Sequence, residues 1–308
     1  MVGLPVLAEL ERRGISFIVL KSLPQLEDLY GDIGVRSTTD IDLLVPGARA
    51  AETFDLILDQ GWRVVEERLL GLLTLHAARD SVIPSRPWHF TAIRDDQPSG
   101  IDLHFDSMPE WRKPVLDPAI WDRAIPRSQD SVHFLVPSWE DRLLFLCWHF
   151  LDEALFNPCV PWQKLADIEH ALAQSEGIDT AYVAERARSC GVSIAFRLTC
   201  SLAAARSSKV LPEWWQTIPV ASRARLRLLE WILGPEMDRL SRRSRSLIFP
   251  LMYDRPLAGL HPWVSYVVPS RITVGDMYTG AWPSWPEYLL QLARIYLHRL
   301  RVLLRRTI

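Results

Sequence analysis

The stretch from Phe17 to Val45, FIVLKSLPQLEDLYGDIGVRSTTDIDLLV, constrains this chain more than any other. An apolar run, Phe17-Ile18-Val19-Leu20, reads as a buried strand and stops at Lys21-Ser22-Leu23-Pro24. A helical segment follows over Gln25 to Tyr30, and Gly31 and Gly34 mark a turn. Arg36-Ser37-Thr38-Thr39 then leads into a second strand, Asp40-Ile41-Asp42-Leu43-Leu44-Val45. Side chains alternate between the two faces of a strand, so Asp40 and Asp42 share one face while Ile41 and Leu43 point into the core. Two carboxylates side by side repel each other unless a cation sits between them. Oxygen-only ligands suit Mg²⁺, which is commonly held by one or two carboxylates plus substrate phosphates. The plainer reading of Asp-x-Asp alone is an edge strand with two solvated aspartates.

A second acidic segment lies further on. Gln97-Pro98-Ser99-Gly100 reads as the tip of a hairpin, and Ile101-Asp102-Leu103-His104-Phe105-Asp106 follows it. By alternation Asp102, His104 and Asp106 share a face. Asp106 fits a strand-end cap better than a ligand.

The order strand, small-residue loop, helix, then Asp-x-Asp on the next strand resembles the DNA polymerase β-like nucleotidyltransferase superfamily. The wording LKS…LYGD…R…DIDLLV is most similar to its bacterial uncharacterised nucleotidyltransferase family. That family begins Leu-Lys-Gly, and this chain departs from it at Ser22. The resemblance implies an α/β (α+β) fold, with a mixed-sheet catalytic domain over 1–136 and an all-helical domain over 137–308 that closes the cleft. It implies transfer of a nucleoside monophosphate from an NTP to an acceptor, with release of pyrophosphate and with Mg²⁺ or Mn²⁺ as cofactor. Asp40, Asp42 and Asp102 are then the catalytic, metal-holding carboxylates. Lys21, Ser22 and Arg36 are the candidates for the triphosphate; otherwise Lys21 is a solvated strand end and Arg36 one half of an ion pair. His104 joins the site by orienting a carboxylate rather than by direct ligation. Loss of Asp40 or Asp42 is expected to relieve repulsion and leave the folded protein no less stable. A toxin-like enzyme acting on RNA and a non-catalytic nucleotide-binding module are the alternatives.

Composition bounds the rest. The 308 residues are 48% hydrophobic and 23% charged, ordinary for a globular protein of one large or two modest domains. The formal net charge of −2 excludes a bulk electrostatic draw toward polyanions. The charge is split, however: residues 239–308 hold eleven Arg, no Lys and three acids. The acceptor is therefore expected to be a small molecule, peptide or protein in preference to RNA. No two of Cys147, Cys159, Cys190 and Cys200 have C-x-x-C spacing, so reduced, mostly buried thiols are expected. The N-terminus lacks the pattern of a signal peptide and no run of 18 apolar residues occurs, so a cytoplasmic location without a membrane span is expected.

Met108 to Arg127 reads as irregular, and Ser131 to Val136 as a strand. From Ser138 the period becomes helical, with Ser138 and Asp141 placed as a capping box. His149 on this helix and Asp167 beyond Trp162 also match the resemblance. They are either a buried polar pair tying two helices, or one of them faces the nucleotide or acceptor. Asp179 to Ala205 and Ala221 to Leu233 read as helices. Arg242, Arg243 and Arg245 form either a phosphate-facing cluster or a solvated loop. A final helix from Tyr288 to Arg306 carries Arg294, His298, Arg301 and Arg305 along one face, a stripe that fits RNA or, more simply, a solvated surface.

Overall fold

The structure, a computed structural model, describes residues 4–21, 23–32, 34–35, 40–68, 73–77, 89–96, 99–106, 115–116, 118–157, 159–234, 237–257, 260 and 284–305. In chain order the elements are α1 (Leu4–Arg12), β1 (Ile18–Lys21), α2 (Leu23–Tyr30), β2 (Asp40–Val45), α3 (Ala50–Asp59), β3 (Arg63–Arg68), β4 (Leu73–Ala77), β5 (His89–Ile93), β6 (Gly100–Phe105), α4 (Ala119–Asp122), β7 (Ile125–Gln129) and β8 (Val132–Val136). Helices follow: α5 (Trp139–Phe156), α6 (Trp162–Ala173), α7 (Thr180–Ser189), α8 (Ser193–Arg206), α9 (Arg223–Ile232), α10 (Arg242–Ser246) and α11 (Trp285–Arg305). The fold is α/β, a mixed sheet followed by helices.

The strands form one sheet in the order β4-β3-β5-β6-β2-β1-β8-β7. β2 and β6 are parallel neighbours at its centre, and β1 runs antiparallel to β2 and parallel to β8. Alternation sorts the side chains to two cores. Phe17, Val19, Ile41, Leu43, Val45, Ile101, Leu103 and Phe105 pack against residues of α1 and α3 on one face. On the other face Ile18, Leu20 and Leu44 join Leu29 of α2 and the core of α5, α6 and α8. Asp40, Asp42, Asp102 and His104 belong to this second, helix-covered face.

Helix α5 is apolar on nearly every side, as befits a helix enclosed by others. Phe145, Trp148, Leu151 and Leu155 are all buried along it. Its start is set as the sequence indicates: Ser138 Oγ accepts from the Asp141 backbone N–H at 3.2 Å and donates to Asp141 Oδ2 at 2.9 Å. Its end is held by Arg245, whose buried guanidinium donates to the carbonyls of Ala154 and of Asn157, the latter at 2.8 Å. A cation at a helix C-terminus satisfies carbonyls that lack intrahelical donors. Arg245 is thus neither a phosphate contact nor a loop residue. The side chains of Arg242 and Arg243 lie outside the described residues.

Two segments differ from the sequence reading. The segment read as irregular up to Arg127 contains α4 and the start of β7, an edge strand whose side chains are nearly all exposed. With both faces wet it shows no apolar alternation, and Pro126 is tolerated because an edge leaves one side of the ladder open. The segment read as one helix from Asp179 is two, α7 and α8, broken at Gly191 with φ of 68°. That left-handed conformation ends α7 and is open to glycine at no steric cost. In α11 Leu289, Leu290 and Leu297 are exposed, as is Arg294; the side chains of His298, Arg301 and Arg305 lie outside the described residues. No helix among the described residues is long and apolar enough to cross a membrane.

Candidate active site

The site is assembled on the central strands. β2 and β6 pair in register, Asp40 with Gly100 and Asp42 with Asp102, so the acids of both strands emerge side by side on the face toward α5. Asp40, Asp42 and Asp102 each place a carboxylate oxygen within 4.8 Å of the others. Lys21 reaches the same place by a local irregularity. Strict alternation would send it to the face of Val19. Between Val19 and Lys21 the pairing of β1 with β2 shifts register, so that Lys21 rather than Leu20 lies opposite Asp42. Such a bulge re-aims the side chain that follows it. Lys21 Nζ lies 2.9 Å from Asp42 Oδ2 and 3.5 Å from Asp40 Oδ2.

The remaining strand residues hold the acids in place. His104 is buried, with Nε2 3.0 Å from Asp42 Oδ1. It orients a carboxylate, as the sequence suggests. Thr91 on β5 donates its hydroxyl to Asp102 Oδ1 at 2.7 Å. Asp106 turns away: its Oδ1 accepts from the Gly47 backbone N–H at 2.7 Å and caps the turn after β2. Ser22 and Arg36, the other triphosphate candidates, lie outside the described residues.

The three acids are not electrostatically equivalent. Asp42 is completely buried, which alone would raise its pKa. The Lys21 ammonium, the His104 hydrogen bond and nearby His149 outweigh burial and hold it well below the usual carboxylate range. Burial also opposes the charge on Lys21, but Asp42, Asp40 and Glu153 hold its pKa above the ordinary value. At Asp102 the balance falls the other way: burial and the charges of Asp42 and Asp40 push it up to about 7, against the Thr91 hydrogen bond and the Lys21 charge. The expectation that removing Asp42 costs no stability is therefore corrected. Its loss would take from the buried Lys21 its nearest anion, leaving the more exposed Asp40 at 3.5 Å to face it.

The helices contribute groups that the sequence reading missed or left open. His149 on α5 faces the acids, with Nε2 3.3 Å from Lys21 Nζ and 3.9 Å from Asp42 Oδ1. Its Nδ1 lies 3.3 Å from Lys164 Nζ of α6 and 3.4 Å from Glu153 Oε1, one turn further along α5. Lys164 Nζ in turn sits 2.5 Å from Glu153 Oε1. Buried Asp167 accepts from Tyr30 Oη at 2.7 Å and ties α6 to α2, whereas His149 lies by the acids. The spacing of His149 and Glu153, one helical turn apart, was the available signal. Lys164 carried none, because its place depends on how α6 lies against α5.

A hard divalent cation fits this donor set. Every acidic ligand atom is oxygen, and three converge. Buried Asp42 Oδ2 makes no hydrogen bond beyond the ammonium it faces. Lys21 now supplies the positive charge between Asp40 and Asp42. A cavity of about 690 Å³ lies elsewhere, lined by Ile15, Phe17, Pro126, His133 and Phe134 among others, and holds none of the three acids.

The model of the uncharacterised nucleotidyltransferase family matches residues 5–207, which include all three acids, Lys21, His149 and Lys164. No curated protein matches. Among solved structures the chain is similar to the solution structure of the antibiotic-resistance factor ANT(2'')-Ia, at 17% identity and a TM-score of 0.36, over 59% of this chain and 84% of that one. It is likewise similar to the crystal structure of ANT(2'')-Ia in complex with adenylyl-2''-tobramycin, at 15% identity and a TM-score of 0.37, over 60% of this chain and 92% of that one. On the extent of the family match, well over half of its length, the chain belongs to the uncharacterised nucleotidyltransferase family and is a nucleotidyltransferase.

Proposed function

We propose that this enzyme moves a nucleoside monophosphate from an NTP, ATP included, to a hydroxyl or phosphate of an acceptor, with release of pyrophosphate and with Mg²⁺ or Mn²⁺ bound. The observation that carries this reading is the meeting of Asp40, Asp42 and Asp102 on one sheet face, beside Lys21. Asp40 and Asp42 would hold the ion shared with the triphosphate, and Asp102 would complete the set on the acceptor side. A bound divalent ion supplies charge neutralisation at the attacking and leaving oxygens of an in-line displacement. The chain's own task is to position and to neutralise. His104 fixes the plane of the Asp42 carboxylate, and Thr91 that of Asp102. Lys21, Ser22 and Arg36 are the residues assigned to the triphosphate in this reading.

The acceptor is a small molecule, peptide or protein in preference to RNA, since net charge gives no general draw toward polyanions. The catalytic domain spans 1–136, and the helical domain 137–308 closes the cleft over it. The protein works in the cytoplasm, where NTP and Mg²⁺ are at hand. Incubation with each labelled NTP, Mg²⁺ and a cell extract tests the reading. Label is expected on a small molecule or a protein. Label on RNA would overturn the acceptor class, and no metal-dependent label on any component would overturn the reaction.

A further inference from the structure

The helix-borne cluster beside the acids crowds two ammonium groups around one imidazole. His149 lies between two ammonium groups, Lys21 Nζ at 3.3 Å from Nε2 and Lys164 Nζ at 3.3 Å from Nδ1. A neutral imidazole has one accepting nitrogen and one N–H, and an imidazolium has none that accepts. In no protonation state, therefore, do both lysines find an acceptor on this ring. At least one contact sets donor against donor. The nearby Glu153 offsets this in part: its Oε1 takes the Lys164 ammonium at 2.5 Å and lies 3.4 Å from Nδ1. Yet Lys164 remains under strain of charge, its pKa lowered by burial and by Lys21 against the pull of Glu153. Lys21, His149 and Lys164, from β1, α5 and α6, thus line up with each nitrogen-bearing side chain within hydrogen-bond range of the next, beside a proposed metal site. They are what a polyphosphate oxyanion accepts from.

We propose that Lys164, with His149, binds the departing phosphates of the nucleotide, so that α6 supplies one of the cations that hold the pyrophosphate. This rests on the nucleotidyl-transfer reading above. In that reaction the acceptor oxygen forms a bond to the α-phosphorus and the bond from that phosphorus to the bridging oxygen breaks. The electron pair leaves on pyrophosphate, and the acceptor's proton passes to solvent. Negative charge therefore grows on the leaving side, where Lys164 exchanges Glu153 for a phosphate oxygen. The His149 Nδ1–H is then held by Glu153, and donor no longer faces donor.

Calorimetry with inorganic tripolyphosphate and Mg²⁺ tests this without catalysis. Lys164→Met is expected to weaken binding by about tenfold or more, the factor of one charge-assisted hydrogen bond. Lys164→Arg should stay within about threefold of wild type. Because Lys164→Met leaves Glu153 without its cation, the double variant Lys164→Met/Glu153→Gln is measured beside it. If Lys164 only balances Glu153, the double variant recovers wild-type affinity, and the proposal is wrong. Persistent weakness in the double variant supports it. Wild-type affinity in Lys164→Met overturns the proposal alone, whereas failure of the wild type to bind either tripolyphosphate or any NTP with Mg²⁺ overturns the reading beneath it as well.

Discussion

Asp102→Asn should make the metal-free protein more stable at alkaline pH, an unusual result for a proposed catalytic substitution. Burial and the charges of Asp42 and Asp40 raise the Asp102 carboxyl from 3.8 to about 7. A raised carboxyl favours folding only while it is protonated. Its contribution is full below about pH 4, the unfolded value, and is lost as pH climbs through about 7. The size of the shift sets a ceiling of about 4 kcal/mol at pH 8. The Asp40 side chain is 30% exposed, so water screens part of the repulsion, and about 2 kcal/mol is a fair expectation. Asparagine removes the charge but keeps an oxygen to accept from Thr91. In EDTA, the melting temperature of Asp102→Asn should match wild type near pH 4 and exceed it by roughly 3 °C at pH 8. Excess Mg²⁺ should narrow the gap, since the wild type alone offers all three carboxylates. A difference that is independent of pH, or a less stable variant at pH 8, would refute the electrostatic account of the cluster.

Asp42→Asn should behave in the opposite way. It leaves the buried Lys21 ammonium without its nearest partner, so urea denaturation should show a loss of about 3 kcal/mol, and calorimetry should show weakened binding of NTP with Mg²⁺. Asp102→Asn should keep most of that affinity while transfer stops; equal loss of affinity in both variants would place Asp102 on the nucleotide side. Thermal shift with each NTP should show stabilisation only when Mg²⁺ or Mn²⁺ is present, and equal stabilisation in EDTA would count against a metal bridge. Arg245→Met removes both donors that close the end of α5 and should cost about 2 kcal/mol in the same denaturation assay. The affinity of the folded variant for NTP with Mg²⁺ should be unchanged.

The strands that carry the acids were legible in the sequence because each rests on local rules. Alternation places Asp40 with Asp42 on one face of β2, and Asp102 with His104 on one face of β6, while the parallel pairing of the two strands merges those faces. Ser138 announces the start of α5 by capping chemistry that involves three neighbouring residues. What alternation could not give was Lys21, which reaches the acids through a bulge that breaks the alternation. Nor could it reveal β7, whose two wet faces leave no apolar period. Arg245 looked like one of three equivalent arginines until packing chose it to close α5. The junction of His149, Glu153 and Lys164 depends on the docking of α6 on α5, and of α5 on the sheet. Contacts across elements are set by the fit of whole side-chain surfaces, and no spacing within a single segment encodes that fit. The sequence by itself determined which acids could meet. The tertiary structure decided which cations meet them, and hence that Asp42 is held well below the usual carboxylate range while Asp102 is pushed up to about 7.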